Sequence, residues 1–414
     1  MKHRSLLPAA LACLLSFSFG APGSPLQAQE KLNFIFIVAD DLGYMDVGFN
    51  NPDTFYETPN LDSLAASGMV FTDFYAASPV CSPTRGSILT GKYPARTNTT
   101  NFSSGQRNGK FGAAAFENQI APEEVTLAEA LKENGYRTFF AGKWHLGGAG
   151  ASPTDNGFDI NRGGGENGFP RSYFSPFKNI ENLPAGPEGE YLTTRLAEEA
   201  SDFLTEAARG TDPFLLYLSF YSVHVPLQAP KELIEKYEKK AEKLGLADES
   251  GNFDAGRERQ VWPGTQEPRA VRIRQNEPVY AAMVESLDSA VGRVLQQLDA
   301  LNLRDKTAVI FTSDNGGLST AEGSPTSNLP LRGGKGWIYE GGIREPLAIR
   351  WPGVTAAGTR CTVPAISTDF YPTMLEMAGL PAKPDQTLDG KSFVSLLRNP
   401  FAKFDRGPIF FHYP

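Results

Sequence analysis

The densest chemistry in the sequence is the run Cys81-Ser82-Pro83-Thr84-Arg85-Gly86. Ser82 is a favoured N-cap residue and Pro83 suits the first helical position, so the spacing predicts a helix beginning here. The unpaired N–H groups and positive end of such a helix favour an anion beside Cys81. Arg85, one turn in, adds a planar two-pronged donor for a tetrahedral oxyanion. Two readings of Cys81 follow from the run alone. It is either a low-pKa nucleophilic thiol or a small buried side chain at a strand-to-helix turn.

Asp40-Asp41 closes an apolar run, and two adjacent carboxylates buried without a cation would repel. Alone, the pair reads as a solvated turn. Asp314-Asn315 closes another apolar run. Three carboxylates and an amide oxygen make a donor set for a hard cation such as Ca²⁺, which Mg²⁺ also fits. No Cys/His cluster has zinc spacing. Lys143 and His145 alternate in Gly142-Lys143-Trp144-His145, so an extended chain points both to one side. His224 stands in Ser222-Val223-His224-Val225-Pro226, after a further apolar run. Taken singly, each histidine reads by default as a hydrogen-bonded core imidazole, and Lys143 as a snorkelling surface side chain.

The elements that must position these groups are legible as apolar runs. Strands are expected over 32–38, 136–141, 214–220, 308–312 and 346–350, and the first four lead directly into the polar clusters. Helical patterns fall at 61–67, 83–89, 125–134, 191–208, 231–243, 279–301 and 369–378. This alternation predicts an α/β fold, a three-layer α/β/α sandwich around a mostly parallel sheet. Ligands of such sheets bind beyond the carboxyl ends of the strands, so the four polar clusters should converge. Long Gly- and Pro-rich loops at 97–122, 147–189 and 244–277 are expected to rim the pocket.

The chain has 414 residues, room for one large domain. Residues 1–28 read as a signal peptide, with Lys2, His3 and Arg4 before an apolar stretch and Gln27-Ala28 at its end. This leaves 29–414 as one domain of an exported protein, periplasmic or secreted. No later segment is apolar enough to span a bilayer. Removing the leader takes two cations and no acid from a net charge of −8, giving −10 (−8 minus 2). That sign excludes a non-specific nucleic-acid binder and requires any attraction for an anion to be local. Cys81 and Cys361 remain, too few for a disulfide framework, and bridging them would consume Cys81.

The run Cys81-Ser82-Pro83-Thr84-Arg85, followed by Leu89-Thr90-Gly91, resembles the C-x-P-x-R signature of the type I sulfatases, which share the alkaline phosphatase-like fold. Gly142-Lys143-Trp144-His145-Leu146-Gly147 is similar to the family's G-K-W-H-L-G segment. Arg332-Gly333-Gly334-Lys335 with Glu340-Gly341-Gly342-Ile343-Arg344-Glu345-Pro346 is similar to its R-G-x-K and E-G-G-x-R-x-P blocks. The resemblance runs from about residue 31 to the last residue. It implies that Cys81 is oxidised to formylglycine by a generating enzyme, its hydrate being the nucleophile. It further implies that Asp40, Asp41, Asp314 and Asn315, with residue 81, hold Ca²⁺. Arg85, Lys143, His224 and Lys335 would bind the sulfate. His224 or Lys335 would protonate the leaving oxygen, and His145 would take the second hydroxyl's proton. Arg332 and Arg344 fit either ligand contacts or a structural pair with Glu340. The implied function is hydrolysis of a sulfated carbohydrate or aryl sulfate. The alternatives are a phosphomonoester or phosphonate-ester hydrolase of the same superfamily and an inactive relative that binds sulfated glycans. Members usually continue past a segment like Pro408–Pro414 into a small antiparallel subdomain, so a strand is expected there and that subdomain is expected to be short or missing.

Overall fold

Strand β1 (Asn33–Ala39) is buried along its whole length, as a continuous apolar run in a two-sided sheet requires. It lies near the middle of eight strands. The others are β2 (Met69–Phe71), β3 (Arg137–Gly142), β4 (Ile160–Arg162), β5 (Phe214–Ser219), β6 (Thr307–Ser313), β7 (Leu347–Arg350) and β8 (Thr359–Cys361). Their spatial order is β8-β2-β7-β6-β1-β5-β3-β4. Only β7 runs against its neighbours; the other pairings are parallel. The computed structural model describes Met1 and residues 31–102, 114–257, 270–383 and 385–414. Lys31–Pro414 is one unit. The expected leader, Met1 apart, lies outside the described residues.

Seven helices matter for the layers: α1 (Pro59–Ala66), α2 (Cys81–Thr90), α3 (Leu127–Lys132), α4 (Leu192–Ala207), α5 (Lys231–Lys243), α6 (Pro278–Ala300) and α7 (Phe370–Met377). Alternate residues of a strand face opposite ways. Ile35 and Ile37 pack with Leu216, Leu218 and Phe311 under Leu196 of α4 and Val284 of α6. Phe34, Phe36 and Val38 pack instead with Ile88 of α2, Leu127 of α3 and Phe370 of α7. This is the expected three-layer sandwich, with the sheet covered on both faces.

Three expectations shift. The second helix starts at Cys81 with Val80 in the N-cap position, so Ser82 does not cap it. Pro83 still sits in the first turn, where its missing N–H is no loss. Residues 408–414 form no strand. No described strand pairs with them, and an edge without a partner leaves its backbone groups to water. The loop over 244–277 carries a two-residue ribbon, Phe253–Asp254 against Val271–Arg272, and its described residues do not line the cleft. β2, β4 and β8 are three residues each, too short to show a period in sequence.

Candidate active site

Because β1, β3, β5 and β6 run the same way, their carboxyl ends meet at one side of the sheet. Asp40 and Asp41 follow β1, Lys143 follows β3, His224 lies five residues past β5, and Asp314-Asn315 follow β6. Cys81 and Arg85 enter from the first turns of α2, and Lys335 from the loop before β7. None of these residues, nor His145, is more than 8% exposed. Ligand atoms of Asp40, Cys81 and Asp314 lie within 4.8 Å of one another, and so do those of Asp41, Cys81 and His224. The structure therefore brings together every site residue inferred from sequence.

Charged hydrogen bonds organise the cluster. Lys143 Nζ donates to both oxygens of Asp40, at 2.9 and 2.7 Å. Arg85 Nε donates to Asp314 Oδ2 at 2.8 Å, and its Nη1 donates to the Lys143 carbonyl at 2.9 Å. Lys335 Nζ reaches Asp41 Oδ2 at 2.9 Å, His224 Nε2 at 3.0 Å and Glu322 Oε2 at 3.0 Å. His224 Nδ1 lies 2.9 Å from the Val225 carbonyl, which fixes that nitrogen as donor and leaves Nε2 to accept from Lys335. Burial opposes ionisation of Asp41, yet Lys335 and His224 beside it hold its carboxyl at about 2. Burial likewise works against the Lys143 ammonium, but Asp40 leaves it above the usual lysine range.

The thiol decides between the two readings of Cys81. Burial pushes it up to about 12, more than Lys143 and Lys335 pull it down. An unmodified Cys81 is therefore no thiolate at neutral pH, despite the helix terminus and the nearby cations. Both Cys81 and Cys361 are free.

His145 arrives differently from the extended alternation expected. β3 ends at Gly142 and His145 adopts φ 55°, so a turn, not a strand, brings its ring toward Lys143. Trp144 between them is buried in the core against Phe140. Burial, then Lys143 and Arg85, hold the imidazole well below its usual range, and its Nδ1 is buried without a partner. It is a neutral base in waiting.

The donor set also tests for a metal. Asn315 Nδ2 donates to Asp41 Oδ1 at 2.7 Å, which aims the amide, and its Oδ1 is buried with no partner. An orphaned oxygen beside three aspartates fits a hard divalent cation.

A cleft of about 530 Å³ opens above Cys81, His145, His224 and Lys335. The described residues of loops 97–122 and 147–189 line it as expected, through Asn118, Gln119, Glu166, Asn167 and Phe169 among others. Sequence reasoning missed Ser219, Glu322 and Phe169. Ser219 Oγ donates to the Lys143 carbonyl at 2.7 Å and also meets Arg85. Glu322 stood between two recognised blocks with no spacing to mark it. Arg344 is structural, paired with Asp73 at 2.9 Å and Glu340 at 3.3 Å, and the Arg332 guanidinium lies 3.8 Å over the Tyr339 ring.

The sulfatase family model matches residues 32–380. N-acetylgalactosamine-6-sulfatase of Homo sapiens is 32% identical over 416 residues, covering 95% of this chain and 70% of that protein. Steryl-sulfatase of Homo sapiens is 30% identical over 469 residues, covering 93% and 73%. A crystal structure of Ps i-CgsB in complex with k-i-k-neocarrahexaose superposes with a TM-score of 0.70 at 32% identity, over 89% of this chain and 77% of that one.

Proposed function

The chain belongs to the sulfatase family and hydrolyses sulfate esters, and we propose that its substrate is a sulfated carbohydrate, its nucleophile a formylglycine made from Cys81, and its metal Ca²⁺ held by Asp40, Asp41, Asp314 and Asn315. Residues 29–414 act as one catalytic domain, exported after loss of residues 1–28 and matured by a formylglycine-generating enzyme. The observation that carries the reading is the meeting of Cys81 with Asp40 and Asp314, and with Asp41 and His224, inside a buried pocket.

The charges explain why a divalent ion belongs there. Arg85, Lys143 and Lys335 are each paired with Asp314, Asp40 and Asp41, so these six side chains neutralise one another. A sulfate monoester gains a net attraction only if further positive charge is present. A divalent ion bound there supplies that charge and favours deprotonation of a neighbouring hydroxyl. An aldehyde at residue 81 supplies, as its hydrate, one hydroxyl to attack sulfur and another whose ionisation later expels sulfate. The protein's own groups do the rest. Arg85, Lys143 and Lys335 present N–H donors to the sulfate oxygens, where charge is developing. His224 and Lys335 share a proton across 3.0 Å, so either can give it to the leaving oxygen and be replenished by the other. His145, neutral and with a free ring nitrogen, accepts a proton.

Peptide mass spectrometry across residue 81, with sulfate release from nitrophenyl sulfate and from sulfated sugars, tests this. The aldehyde mass and sulfate release are expected together, and Cys81→Ala should abolish turnover while the protein stays folded. An active alanine variant, or faster cleavage of nitrophenyl phosphate than of the sulfate, would overturn it.

A further inference from the structure

The side chains around the sulfate pocket restrict what the sulfate is attached to. Phe169 is 52% exposed although it lines the cleft. Its ring lies within 4° of parallel to the His224 imidazole, with centroids 6.0 Å apart. The loop that carries it is braced. Asn179 Nδ2 donates to the Phe169 carbonyl at 2.8 Å, Asn179 Oδ1 accepts from Arg171 N at 2.7 Å, and Asn167 Nδ2 donates to the Asn179 carbonyl at 3.1 Å. A rigid, exposed aromatic face beside the proposed proton donor suits the apolar face of a pyranose ring.

The polar groups around that platform are unlike those of the sulfate pocket. Asn118, Gln119 and Asn167 are neutral, and Glu166 and Glu322 are acidic. Among the described residues lining the cleft, Lys335 is the one side-chain cation, and it faces the sulfate pocket. Amides and carboxylates hydrogen-bond hydroxyls and amines, whereas two carboxylates repel a second sulfate or a uronate carboxyl.

We propose that Phe169, Glu166 and Glu322 form a leaving-group subsite that selects a sugar carrying the scissile sulfate and no other anionic group nearby. This rests on the sulfatase reading and narrows its substrate class to singly sulfated, otherwise uncharged sugar units. The repulsion of one added anion by the two carboxylates together, across a few ångströms of wet cleft, corresponds to a discrimination of about tenfold, about threefold from each.

The experiment uses full-length enzyme whose residue 81 aldehyde has been verified. It compares kcat/KM for a galactose monosulfate, a galactose disulfate bearing the same sulfate plus one on the adjacent carbon, and ethyl sulfate. The monosulfate should exceed the disulfate by about tenfold or more. Glu166→Gln and Glu322→Gln should each shrink that ratio by about threefold. Phe169→Ala should raise KM for the galactose monosulfate about tenfold with little change for ethyl sulfate, and Phe169→Tyr should restore it. A wild-type enzyme that prefers the disulfate, or a Phe169→Ala effect equal on both esters, overturns the subsite while hydrolysis of ethyl sulfate leaves the sulfatase reading standing. Loss of turnover on every sulfate ester by the verified enzyme removes both.

Discussion

Gly168→Ala tests whether His145 must sit where the structure puts it. An ideal Cβ at position 168 falls 2.5 Å from His145 Cε1, 2.8 Å from Nε2 and 2.9 Å from Nδ1. Ordinary contact begins near 3.4 Å, so ring or loop must give by 0.9 Å (3.4 minus 2.5). Neither yields cheaply. His145 holds φ 55° and its N–H donates to the Gly165 carbonyl at 3.0 Å, while Asn179 pins the loop from the other side. Overpacking of this kind costs about 1–3 kcal/mol of stability. Moving a proton-accepting ring by about an ångström lowers kcat by ten- to about a hundredfold. The assay is sulfate release from nitrophenyl sulfate at saturation, with the aldehyde content of both proteins measured. Gly210→Ala is the control, because its Cβ would meet only the Ala207 carbonyl, at 3.7 Å. Wild-type kcat in a folded Gly168→Ala protein would show that no fixed imidazole at 145 takes part, and the role assigned to it would be wrong.

Lys143 Nζ covers both oxygens of Asp40, so the ammonium and a divalent ion draw on one carboxylate; Lys143→Met should tighten Ca²⁺ binding about tenfold while turnover falls. Weaker Ca²⁺ binding in a calorimetric titration would contradict the assigned metal ligands. Asp288 of α6 accepts the N–H groups of Asn60 and Leu61 at the start of α1, and burial lifts its carboxyl to about 6. The folded protein keeps that proton where the unfolded chain has lost it, so this group's contribution to stability falls as pH rises from about 4 to about 6, by up to about 3 kcal/mol. Thermal melts of wild type and Asp288→Asn should show wild type losing ground to the variant across that window; a gap that stays constant refutes the shift. Arg406 clasps the buried Asp369 carboxylate through Nε and Nη2, both at 2.9 Å. Arg406→Ala should cost about 3–5 kcal/mol in denaturant unfolding, and adding Asp369→Asn should return part of it. Strict additivity would mean the pair is not coupled.

The strands were legible because a two-sided parallel sheet writes itself as unbroken apolar runs. Phe34 and Ile35 point to opposite cores and both must be hydrophobic. The site was legible for a related reason, since each polar cluster closed one of those runs. Sequence proximity failed where the contact is set by tertiary approach alone. Ser82 had the right type for a cap, but Val80 already occupies that position. At α1 the N-cap residue Thr58 makes no side-chain cap; Asp288, 230 positions later in the chain (288 minus 58), accepts the N–H groups instead. Glu322 and Phe169 sit on loops whose path depends on packing, with nothing periodic to announce them. The low-pKa reading of Cys81 failed for a physical reason. Helix end and cations were counted correctly, but complete burial outweighs them.

Lys335 ties the chemistry to the choice of substrate. An ammonium has three protons to donate, and here they are directed at Asp41, His224 and Glu322. Holding a sulfate oxygen therefore requires one of the three to be released. Asp41 is fully buried and kept ionised, and His224 is the proton's route to the leaving oxygen. Glu322, whose side chain is 19% exposed at the cleft, is the partner free to turn away. Once released, its negative charge stays at the cleft, next to the alcohol that carried the sulfate. The same carboxylate that yields its place on Lys335 to the scissile sulfate then stands against a second anion on the sugar, so substrate capture and substrate discrimination rest on one side chain.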